Sequence, residues 1–282
     1  MEQIKKRIKG TFLEPMARRL HGFLVKRPVL HAPSEEEPGL DEAIITEDVK
    51  RYDIQTMEVM KRILAQDSGC VDVGAHEGDV LQEMVSLAPK GRHHAFEPLP
   101  HLAESLRQRF PRAKIHQVAL SDENGEARFH HVVNSPGYSG LLKRDYDRLD
   151  PVFEMILVRK ARLDDLIEQD EPVDLIKVDV EGGEYHVLRG GMETLKRCKP
   201  WVVFEAGSKS TLHYGVGPEN LHQLLVKDCG LRISTMERWL EGKTALDEAS
   251  FLRHFHEGLD YYFLAYDPDK TPRVQTSSVP SP

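Results

Sequence analysis

Five ionisable side chains, Asp72, Glu97, Lys177, Asp179 and Glu181, fall at or near the ends of short apolar runs, where a sheet edge would gather them. The first run, Val71-Asp72-Val73-Gly74-Ala75-His76-Glu77-Gly78, reads as a strand ending in a small-residue turn that opens a helix at Asp79. Gly74 and Gly78 allow close backbone approach and leave amides exposed at a helix start. The dinucleotide fingerprint would need a glycine at Ala75 or His76, so no pyrophosphate loop is written here. Twenty-five residues after Asp72, the run His94-Ala95-Phe96 ends in Glu97. An acidic residue at the second strand tip is placed to accept two ribose hydroxyls. Together these elements specify an adenosine ligand. No cation is placed to neutralise a pyrophosphate, whereas Asp72 suits an ammonium and a sulfonium, so S-adenosylmethionine is the expected donor.

The second set lies in Val173-Asp174-Leu175-Ile176-Lys177-Val178-Asp179-Val180-Glu181-Gly182-Gly183-Glu184. Strand alternation puts Lys177, Asp179 and Glu181 on one face near the carboxyl end, provided the strand stays extended that far. Burying three ionisable groups is costly, and a purely structural strand would carry apolar residues there. Displacement at a sulfonium needs alignment and a proton acceptor for the attacking hydroxyl. Asp179 or Glu181 can take that proton, with Lys177 holding the pair or stabilising an alkoxide, and Asp179 can instead bind the donor's amino group. Glu205 ends the run Trp201-Val202-Val203-Phe204-Glu205, points to the same edge and is expected to touch the acceptor. Asp179, Glu181 and Glu205 together could hold a divalent cation, but no spacing motif demands one and no metal is expected. His186 reads as a packed or solvated histidine.

Short strand-like runs at 70–73, 94–97, 115–120, 174–180, 201–205, 231–235 and 261–266 alternate with helical segments. That rhythm predicts an α/β fold, a doubly wound, mostly parallel seven-stranded sheet covered on both faces, with an antiparallel edge strand. A hairpin strand at 126–133 and the loop 135–140 interrupt the rhythm, and the 126–162 insertion is expected to cover the site. Residues 1–32 form a basic amphipathic segment, with eight Lys and Arg and with Ile4, Ile8, Phe12, Leu20 and Leu24 at multiples of four. It is expected to pack on the domain, with contact to an anionic membrane as the alternative. Residues 33–51 read as linker, 52–267 as the catalytic domain, and 268–282 as a disordered tail rich in Pro, Ser and Thr.

At 282 residues, with 40% hydrophobic and 30% charged content, the chain suits one sizeable domain. A net charge of -8 disfavours a nucleic-acid partner. Cys70, Cys198 and Cys229 form no metal-ligand pair and suit a reducing compartment, and no secretory or membrane-spanning stretch is evident, so a cytoplasmic location is expected.

Over about residues 69–266 the sequence resembles the FkbM family of methyltransferases. The resemblance is carried by Val71-Asp72-Val73-Gly74-Ala75 with Gly78, by Ala95-Phe96-Glu97-Pro98 with Pro100, and by Ala119-Leu120-Ser121-Asp122 with Gly125. Arg162-Leu163-Asp164-Asp165 and the 174–182 block with Glu184 complete it. It implies a Rossmann-like class I methyltransferase fold, S-adenosylmethionine as donor, and O-methylation of a sugar, glycolipid or secondary-metabolite hydroxyl. It carries over Asp72, Gly74, Gly78 and Glu97 as donor contacts, with Ala75, His76 and Pro98 in the same blocks and Ala119 and Leu120 near the adenine. Lys177, Asp179 and Glu181 become the catalytic edge, and the loop Tyr138-Ser139-Gly140-Leu141 resembles a substrate loop that offers Ser139. The family often has Asn where this chain has His76. Two rival readings are an NAD-dependent oxidoreductase on the same sheet, which the missing third glycine opposes, and a catalytically silent scaffold, which the intact ionisable edge opposes.

Overall fold

The central main-sheet strands bury both faces, which is why a run such as Trp201-Val202-Val203-Phe204 is continuously apolar. The computed structural model describes residues 40–143 and 152–272. Its strands are β1 (Cys70–Val73), β2 (His93–Phe96), β3 (Lys114–His116), β7 (Leu175–Val178), β8 (Trp201–Glu205), β9 (Arg232–Thr235) and β10 (Tyr262–Tyr266), in spatial order β3-β2-β1-β7-β8-β10-β9. β10 is antiparallel to both β8 and β9. The antiparallel strand therefore lies one place in from the edge, and β9 takes the edge position expected for it. The chain leaves β9 through short helices and returns between β8 and β9, a reversal that needs no crossover.

One sheet face, with Val71, Val73, Ile176, Val178, Val202 and Phe204, packs against later helices. The other, with Cys70, Leu175, Trp201 and Val203, packs against Tyr52, Val59, Met60 and Ile63 of α1 (Leu40–Ile63). Residues 40–51, read as linker from the sequence, are the first half of this helix. The Gly and Pro residues of 33–39 stop at Gly39, and nothing in 40–51 breaks a helix. The basic segment 1–32 lies outside the described residues, as does 273–282. Lys270, inside the expected tail, pairs with Asp174 at 3.6 Å. Among the described residues no helix is long and apolar enough to cross a membrane.

The 115–120 run is not one strand. It breaks after β3, and β4 (Ala119–Leu120) joins β6 (Phe153–Ala161) and β5 (Gly125–Val132) in a separate three-stranded sheet of order β4-β6-β5. That sheet packs Phe129 and Val158 against Leu99 and Ala119, beside the carboxyl edge of the main sheet.

Candidate active site

The carboxyl ends of β1 and β7 lie side by side, with Asp72 and Lys177 in register. Lys177 Nζ stands 3.9 Å from Asp72 Oδ1 and 3.1 Å from Asp179 Oδ2. Asp72 is fully buried and Lys177 nearly so. A lysine between two buried carboxylates offsets the repulsion between them, and removing it would leave uncompensated charge. Tyr262 donates its hydroxyl hydrogen to the same Asp179 oxygen at 2.7 Å. It reaches this edge because β10 runs backwards, which sets its first residue opposite Glu205, the last residue of β8.

β7 ends at Val178, so the extension assumed for Glu181 does not hold. Glu181 has φ 65° and Gly182 φ 107°. Glu184 fixes this turn: its Oε1 accepts the Val180 and Gly182 amides at 3.0 and 3.1 Å. The turn still brings Glu181 to the reaction edge, where oxygens of Asp179, Glu181 and Glu205 lie within 4.8 Å of one another. Burial, and to a lesser degree the Asp179 charge, push the Glu184 carboxyl up to about 7. A group raised in the folded state contributes stability that is complete below its unfolded value and fades as pH rises through the folded one. Between pH 4.5 and 7 the wild type should therefore lose on the order of 2–3 kcal/mol relative to Glu184→Gln. Urea unfolding of both proteins across that range checks this, and parallel curves would contradict it.

On the β2 side Glu97 Oε2 accepts the His76 amide at 2.8 Å and Oε1 accepts the Leu99 amide at 2.9 Å. His76 sits at φ 49°, a left-handed conformation that Asn and His tolerate better than most residues. That explains why an Asn-favouring position accepts it.

Between these edges opens a cavity, a solvent-open cleft whose space is about 610 Å³ with the open solvent at its mouth included. Of the donor residues read from the sequence, Gly74, His76, Glu97, Pro98, Ala119 and Leu120 line it. Asp72, Ala75 and Gly78 do not. Asp72 lies beneath the edge beside Lys177, so it acts on the cavity through that lysine and Asp179. Ala75 is buried in the cluster of Leu81 and Leu106. A side chain on Gly78 would meet Leu106 at 2.5 Å and Phe110 at 2.8 Å, so this glycine serves helix packing.

Asp179, Glu181 and Ser139 line the cavity, whereas Lys177 and Glu205 do not. Ser139 Oγ also accepts the Val132 amide at 3.0 Å, which closes the hairpin. Tyr214, which the sequence reading passed over, lines the cavity and accepts the Leu142 amide at 3.2 Å. Its position after Glu205 was the available signal, since the chain beyond a strand end returns over the same edge.

A family model described as the methyltransferase FkbM domain matches residues 72–233. The chain is 30% identical over 177 residues to the 2-O-methyltransferase NoeI of Sinorhizobium fredii, covering 57% of this chain and 72% of that one. The chain belongs to the FkbM methyltransferase family. A 28% match over 165 residues to the AMB antimetabolite synthetase AmbE of Pseudomonas aeruginosa covers 45% of this methyltransferase and 8% of the synthetase. The crystal structure of methyltransferase FkbM from Methylobacillus flagellatus superimposes with TM-score 0.46 at 14% identity, over 90% of this chain and 58% of that one. The family match gives no support to an oxidoreductase or a silent scaffold.

S-adenosylmethionine is the donor of this methyltransferase, and the cavity fits it. Glu97 presents a carboxylate whose plane two amides fix, with accepting capacity for ribose hydroxyls. Phe96, Val118, Leu120 and Phe129 supply an apolar wall for a flat base. At Gly74 a Cβ would stand 2.0 Å from the Asp179 carbonyl oxygen, and φ is 76°. Gly74→Ala should therefore push β1 and β7 apart, with at least about 3 kcal/mol of stability lost and donor binding abolished. Denaturant unfolding with calorimetry measures both.

Proposed function

We propose that this methyltransferase transfers a methyl group to a hydroxyl oxygen of a sugar-like or other small acceptor, with Glu181 receiving the hydroxyl proton. The observation that carries the reading is the carboxylate cluster of Asp179, Glu181 and Glu205, within 4.8 Å at the wall of the donor cavity. Carboxylates this close repel one another, and a proton arriving among them relieves that repulsion. Asp179 Oδ2 accepts from Lys177 and Tyr262, which makes Asp179 the positioning member, and proton acceptance is assigned to Glu181 because it is the other carboxylate of the cluster that lines the cavity. Bound S-adenosylmethionine supplies an electrophilic methyl group on a sulfonium, so the protein provides alignment and proton removal. Glu97 holds the ribose, Gly74 and His76 form the turn beside it, and Ser139 and Tyr214 face the acceptor. The name of the relative NoeI, a 2-O-methyltransferase, supports oxygen as the methylated atom.

The test is incubation with isotopically labelled donor and a panel of sugars, glycolipids and cell extract, read by mass spectrometry. Label in a methyl ether is expected. Label confined to nitrogen or carbon would overturn oxygen specificity, and label confined to a carboxyl ester would overturn a hydroxyl as the acceptor. Turnover should be unchanged by EDTA, because Lys177 already supplies countercharge to Asp179. Loss with EDTA and recovery with a divalent cation would convert the three carboxylates into metal ligands.

A further inference from the structure

The β5–β6 hairpin turns one face toward the cavity and the other outward. On the outward face Phe153, Met155 and Leu157 alternate along β6 and are 37%, 52% and 66% exposed. Val133 and Val152, in the connection between the strands, are exposed as well. These five belong to the nine exposed large apolar side chains of the described residues; Leu142 lies where its amide meets Tyr214 of the cavity, and Ile54, Leu212 and Leu259 are scattered along the chain. Such concentration marks an interaction surface.

The rim of the patch is cationic. Arg128 stands opposite Leu157, and Arg159 follows on the same face with Glu126 opposite it as the one carboxylate that these two strands place there. Lys143 Nζ lies 4.9 Å from the centre of the Phe153 ring. Apolar side chains flanked by three cations and one carboxylate, on a chain of net charge -8, complement an anionic interface with an apolar interior. A symmetric pairing of two copies through this face would set like cations against one another.

We propose that the outer face of the β5–β6 hairpin docks the protein on an anionic lipid surface. The same hairpin walls the cavity with Phe129 on its inner face, so docking places the site beside the lipid headgroups.

The full chain is sedimented with vesicles of phosphatidylcholine alone and of phosphatidylcholine mixed with phosphatidylglycerol. Binding to the mixed vesicles, weakened by salt, is expected, and Met155→Asp with Leu157→Asp should reduce the partition coefficient at least about tenfold. The charge-reversed pair Arg128→Glu with Arg159→Glu should reduce it similarly, which covers the case in which the first variant fails to fold. Unchanged donor affinity in either variant separates this surface from the donor site. Wild-type protein that ignores mixed vesicles, or folded variants that bind as the wild type does, would overturn the proposal. So would a wild-type dimer in sedimentation velocity that the variants dissociate, since the face would then join two copies of the chain.

Discussion

Glu97→Ala lowers the affinity for S-adenosylmethionine at least a hundredfold, measured by titration calorimetry on folded protein. The carboxylate does two things at once. It offers charged acceptors to ribose hydroxyls, each bond being worth about 1.5–3 kcal/mol, so two together reach about a hundredfold or more. It also accepts the amides of His76 and Leu99, and these hold His76 in a left-handed conformation that relaxes once its acceptor is gone. Glu97→Gln keeps one carbonyl oxygen and should fall between alanine and wild type. Unchanged affinity in a variant whose melting curve stays cooperative would remove the ribose assignment.

Glu181→Gln lowers kcat about 10²- to 10⁴-fold, the span typical of a lost general base, with donor affinity within a few-fold of wild type. Asp179→Asn has a different signature. It leaves Lys177 paired with Asp72 but exchanges the charged acceptor of Lys177 and Tyr262 for a neutral amide, a loss of about 1.5–3 kcal/mol. Stability and kcat should therefore fall together in Asp179→Asn, while Glu181→Gln keeps its stability. A Glu181→Gln enzyme of near-normal turnover would pass the proton to another carboxylate of the cluster.

The sheet was legible because its strands are buried on both faces, and a run such as Trp201 to Phe204 has no other plausible home. Asp72, Glu97, Lys177 and Asp179 were legible because polar residues inside such runs are expensive. What local pattern could not disclose was the neighbour of each group. Gly78 and Gly74 look alike in sequence, yet one makes room for Leu106 and Phe110 and the other for the Asp179 carbonyl. Tyr262 lies eighty-three residues from the carboxylate that it anchors, and only the backward insertion of β10 brings them together. Glu184 stood inside a quoted motif, but its grip on the Val180 and Gly182 amides depends on the strand stopping at Val178, which alternation alone does not foretell.

The backward course of β10 also bears on which fragments of the chain can work. The family match stops at residue 233, and a polypeptide cut there has every carboxylate of the cluster but lacks Tyr262 and the strand that zips onto β8. Its β8 edge would present unpaired amides and carbonyls along Val202, Val203 and Phe204 to any passing strand. A fragment ending at residue 233 is thus expected to be inactive, which turnover measured on that fragment checks. The last strand both covers the β8 edge and delivers the hydroxyl that steadies Asp179.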